Sequence, residues 1–143
     1  MAKWYGLETY DLRYMHQKLI SMFENKVDDM LLTSISGKLS LYIIFGGEDY
    51  LDNFVEEYFK MERIIVTNRN ALIDLIKSDW FKSENLISKL KLRKELKYWQ
   101  KLCDKVNIFE KEFYERTNIS LLRVENERYA KEKKQEKENE LNQ

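Results

Sequence analysis

The chain has 143 residues, and its 25 Lys/Arg balance 25 Asp/Glu for a formal net charge of zero. Hydrophobic residues make up 43% and aromatics 13%, too rich for a disordered polymer and enough for one core. Zero prolines and four glycines argue against an all-β domain, and the longest apolar run, residues 41–45, is far short of the ~20 residues that cross a bilayer.

The opening Met1-Ala2-Lys3-Trp4-Tyr5-Gly6 lacks the layout of a signal peptide, and Cys103 is the single cysteine, so no internal disulfide forms. These features lead us to expect a cytoplasmic protein that makes no use of a membrane. The expected architecture is mainly α: four or five helices with a long C-terminal helix, and a minor two-stranded β element as the alternative. Residues 1–129 form one predicted domain, and residues 130–143 a charged tail or helix extension.

The first predicted helix covers residues 8–33. Leu12, Met15, Leu19, Met22, Phe23 and Met30 recur mostly at three- and four-residue steps and share one face. Ser34-Ile35-Ser36-Gly37 reads as its stop. Residues 39–45 fit a buried helix or a strand, and helix is favoured because only Ile64-Ile65-Val66 could pair with a strand. Gly46-Gly47 ends that segment.

Residues 48–66 read as the next helix, with Leu51, Phe54, Val55, Tyr58 and Ile65 inward. Asn68 is a candidate cap for a helix over residues 70–81, with Leu72, Leu75, Ile76 and Trp80 on one face. Ser83 is a candidate cap for the last helix. Its packing seam is Leu92, Leu96, Trp99, Cys103, Val106, Phe109 and Phe113, spaced like a short coiled coil. Thr117-Asn118 is placed to break or bend it, and residues 131–138 have no buried face.

The neutral total conceals a segregation. Residues 1–81 carry nine Lys/Arg against 13 Asp/Glu, residues 82–105 eight against three, and residues 106–143 eight against nine. Within the basic stretch, Lys89, Arg93, Lys97, Lys101 and Lys105 are four apart, with Lys94 beside them. On a helix they form a basic ridge roughly opposite the seam, and Leu90 alone interrupts it. One reading is a solvated face; the other is a partner-binding face for nucleic-acid phosphate or an acidic protein surface.

The chain carries no nucleotide loop, nucleophile elbow or Cys-x-x-Cys. Gly46-Gly47-Glu48-Asp49 has the acids in the reverse order of the diguanylate cyclase signature, and no phenylalanine follows. It reads instead as a helix stop before an acidic helix start. Asp49, Asp52 and Glu56 share a face, but no nearby histidine supports metal ligation. His16 and Cys103 are the sole histidine and thiol. A catalytic pair would need the first and last helices in one particular register. Trp4, Tyr5 and Tyr10 offer either core or contact surface.

No catalytic residue, metal site or cofactor is therefore expected. The expected function is a structural or adaptor protein working through helix–helix contacts, with a protein partner or self-association along the seam. Nucleic-acid binding through the ridge is the alternative. In style the sequence resembles small proteins of phages and mobile elements of low-GC bacteria. That would suit an assembly protein or a host inhibitor, in a virion or the host cytoplasm.

Overall fold

The computed structural model describes residues 7–142, and among these all regular structure is α-helical, without a strand. There are six helices, one more than the higher expectation: α1 Leu7–Phe23, α2 Asp29–Phe45, α3 Glu48–Lys77, α4 Asp79–Ser83, α5 Leu86–Thr117 and α6 Leu121–Leu141. Trp4 and Tyr5 lie outside the described residues.

The single helix expected over residues 8–33 is two. Asn25 adopts a left-handed conformation at φ 63°, which asparagine tolerates better than most side chains, and this turns the chain after Phe23. Asp28 then caps α2 by accepting a hydrogen bond from the Leu31 amide at 3.1 Å. Met30, expected on the buried face, is 83% exposed beside this turn.

The expected stop at residues 34–37 lies inside α2. Ile35 is fully buried there, and Ser34 donates to Glu57 of α3 at 3.4 Å. Packing overrides the weak helix propensity of Ser and Gly. Residues 39–45 are helical, and the turn that follows needs glycine. Gly46 and Gly47 have φ of 68° and 91°, and Glu48 and Asp49 occupy the first turn of α3.

Asn68 caps nothing. Its amide donates to the Ile64 carbonyl at 3.0 Å in mid-helix, and α3 continues to Lys77. Ser83 ends α4, its hydroxyl returning to the Trp80 carbonyl at 2.8 Å; the cap of α5 is Asn85, which accepts from the Ser88 amide at 2.8 Å. The break at residues 117–118 is as expected, with Asn118 left-handed at φ 61°. The long helix is thus α5, with α6 beyond it. No break falls at residue 130, although every residue from 130 to 142 is exposed.

Short turns make α1, α2, α3 and α5 alternate in direction. Lys18 pairs with Glu112 while Asp11 pairs with Arg116, so α1 and α5 are antiparallel. Phe54 meets Phe113 while Tyr58 meets Phe109, so α3 and α5 are too. The core joins Met15, Leu19 and Phe23 to Ile35, Leu39, Phe54, Tyr58, Phe109 and Phe113. This is an up-down four-helix body, with α6 laid against α3 and Leu121 in the same core.

Candidate functional site

Two of the four body helices outrun the others. The Tyr98 hydroxyl donates to the Lys26 carbonyl at 3.0 Å, so the α1–α2 turn reaches only Tyr98 on α5. On α3, the first turn of α2 borders a groove of about 530 Å³ lined by Leu31, Ile64, Thr67 and Asn68. Packing against the core ends at the same level, where the partly buried Val66 of α3 and Trp99 of α5 lie against the cluster. Residues 69–97 therefore form an arm: the end of α3, α4, and the first three turns of α5. At 1.5 Å per residue it extends about 20 Å past the body.

The seam divides at this boundary. Cys103, Val106, Phe109 and Phe113 are buried in the body, whereas Leu92, Leu96 and Trp99 are half-buried in or beside the arm. Two helices alone leave one side of each open, as Leu72, Leu75 and Ile76 also show by their partial exposure. Trp80, expected inward with them, is 50% exposed because α3 ends before it and α4 turns it outward.

The basic ridge divides as well. Lys89 and Arg93 lie over the buried ring of Phe81, at 5.6 and 5.5 Å from its centroid, and so close the arm tip. Lys105 donates to the Met22 carbonyl at 3.3 Å on the body. Lys94, Lys97 and Lys101 are exposed and make no ion pair among the described residues. Leu86, Ile87 and Leu90 are 68%, 66% and 55% exposed. At 100° per residue Leu90 falls within the arc of those lysines, and Leu86 and Ile87 lie about 20° beyond its two edges. Sequence reasoning flagged Leu90 there but missed Leu86 and Ile87, which form the first turn of α5 directly after the Asn85 cap.

The candidate chemistry elsewhere is dispersed. His16 Nε2 lies 3.1 Å from the Ser36 carbonyl and 3.1 Å from the Ser40 hydroxyl, both on α2. Because the carbonyl only accepts, Nε2 carries the proton in that bond. Cys103 faces Arg69 of α3 instead, and burial pushes its thiol up, away from the nucleophilic thiolate. The structure does not bring His16 and Cys103 together. Asp52 and Glu56 of the acidic face meet Lys131 and Arg128 of α6, and Lys131 also pairs with Glu48. No trio of His, Cys, Asp or Glu among the described residues is placed to hold a metal ion.

A polar set beneath α6 escaped the sequence reading. Arg128 binds Glu125 at 2.5 Å and Glu132 at 2.6 Å, and both Arg128 and Glu125 are buried. Its sequence signal was the spacing of three from Glu125 to Arg128 and of four from Arg128 to Glu132. Burial, with Glu62 nearby, pushes the Glu110 carboxyl up to about 7. Burial also raises Glu62 and, with Glu110 and Glu62 adding, the Tyr58 phenol. This set is a structural consequence of docking α6, not an open cleft.

No protein-family model, curated protein or solved structure matches the chain. No helix among the described residues is long and apolar enough to cross a membrane.

Proposed function

We propose that the protein is a non-enzymatic structural or adaptor module that engages a protein partner through its two-helix arm. The observation that carries this reading is the exposure of Leu86, Ile87 and Leu90 on a projection that lies outside the core cluster. Clustered aliphatic surface gains free energy only when something covers it. The separation of His16 from Cys103 supports a non-catalytic role. An assembly protein, or an inhibitor of a larger complex as phages and mobile elements carry, is a setting that suits such an arm.

Site-specific photo-cross-linking in the native host tests the reading. A cross-linker in place of Leu90 should form protein adducts that Leu86→Ser/Ile87→Ser abolishes. A cross-linker in place of Gln17, on the exposed side of α1, should form few. Adducts confined to position 17 would count against the arm.

The second reading is nucleic-acid binding, favoured by the three lysines left without counter-charge. It predicts an affinity that falls steeply with salt and is lost in the Arg93→Gln/Lys97→Gln/Lys101→Gln variant.

A further inference from the structure

We infer that the arm takes an acidic amphipathic helix from another protein, laid along the outer face of α5; this rests on the arm being the contact surface. The inference comes from the order of side chains along one stripe. Leu86, Ile87 and Leu90 occupy its first turns, and Lys94, Lys97 and Lys101 the turns that follow. All six fall within an arc of about 100° and along about 22 Å of helix. A helix laid against this face puts apolar side chains at three- and four-residue steps on the leucines and isoleucine. Carboxylates one or two turns on then meet the lysines.

The charge of the arm selects this partner over others. Residues 69–97 carry eight Lys/Arg against four Asp/Glu, a net of +4, and Lys101 of the stripe adds one more positive charge. A second copy docking stripe to stripe would set two such charges against each other, which rules against self-pairing through this face. The charged end of α6 offers no apolar face to cover the aliphatic residues, since residues 130–142 present Ala130 and Leu141 alone among their polar side chains. A nucleic-acid backbone satisfies the lysines but leaves three exposed aliphatic side chains with nothing to pack on. A helix lying flat on an anionic bilayer needs apolar side chains along its whole length, and here they stop at Leu90.

The test uses the full chain and fluorescence anisotropy. The probe is a labelled synthetic helix of about three heptads, with Leu at the a and d positions and Glu flanking them. A Gln-for-Glu version, a short DNA duplex and phosphatidylserine vesicles are the comparisons. The Glu helix should bind about tenfold more tightly at about 50 mM than at about 500 mM salt. Lys94→Gln/Lys97→Gln/Lys101→Gln should weaken it by about tenfold or more, and Leu86→Ser/Ile87→Ser/Leu90→Ser likewise. All six positions are exposed, so circular dichroism and the melting temperature should not change.

Equal binding of the Gln helix, or full binding by the lysine variant, overturns the inference. So does binding of duplex or vesicles in preference to the Glu helix, and so does no binding of the Glu helix. In each case adducts at position 90 in the host would keep the arm as the contact surface, whereas adducts only at position 17 would remove the arm as well.

Discussion

Tyr98 donates its hydroxyl to the carbonyl of Lys26 at 3.0 Å, and this bond ties α5 to the α1–α2 turn at the level where the body gives way to the arm. Tyr98→Phe removes the bond and keeps the ring that packs edge-on against Trp99. The expected cost is about 0.5–1.5 kcal/mol, read from denaturant unfolding with the slope unchanged. A loss within error would mean that the turn is held by packing alone.

Truncations on the two sides of that bond should differ. Phe109 is fully buried, stacked on Tyr58 at 5.5 Å and edge-on to Phe23 at 6.5 Å. Phe109→Ala should cost about 3–5 kcal/mol. Leu92 is half-buried in the arm, and Leu92→Ala should cost on the order of 1 kcal/mol. Amide exchange should show the same division, with residues 86–96 opening locally and residues 102–113 only on global unfolding.

Arg128 and Glu125 form a buried pair that is incompletely satisfied, since Glu125 Oε2 and Arg128 Nε have no hydrogen-bond partner. Arg128→Ala leaves the Glu125 charge buried alone and should destabilise the protein by about 3–5 kcal/mol. The double replacement Glu125→Leu/Arg128→Met should recover most of that loss, because apolar groups of similar size carry no desolvation cost. Urea unfolding of the three proteins decides it; a double variant as unstable as Arg128→Ala would show that the pair itself holds α6.

Glu110 makes stability depend on pH in a defined direction. Its folded carboxyl, raised to about 7 chiefly by burial, holds a proton more tightly than in the unfolded chain. The stability it contributes is complete below the ordinary carboxylate range and is lost as pH rises through about 7. Partial exposure of Glu110 limits the effect to the order of 1–2 kcal/mol. Glu110→Gln should therefore flatten the decline in melting temperature between about pH 5 and 8. Parallel curves for the two proteins would remove Glu110 as its source.

Where a helix buries a strong stripe, the sequence already shows it. Cys103, Val106, Phe109 and Phe113 are inside as their spacing requires, and the stops at Gly46-Gly47 and Asn118 rest on left-handed backbone that these residues adopt readily. The turn at residues 24–28 contains neither glycine nor proline, so Asn25 gave no strong local sign of it. Ser34 and Gly37 looked like punctuation because their helix is held by Ile35 and Glu57, partners no local window contains. The basic ridge was legible as a set of residues. Which members remain free was not, since that depends on Phe81 folding back under Lys89 and Arg93 from a different helix. Likewise the partial exposure of Leu92 and Leu96 follows from where α1 and α2 end in space.

Helix α5 runs unbroken from Leu86 to Thr117, so one rod carries both the exposed stripe and the aromatic side chains at the centre of the body. It behaves as a lever whose fulcrum lies near Tyr98. A pull or tilt imposed at Leu90 is transmitted to the rings of Phe109 and Phe113, which are packed too closely to absorb it by sliding. Any load taken up at the tip is thus borne by the protein's centre, with no flexible hinge in α5 to dissipate it.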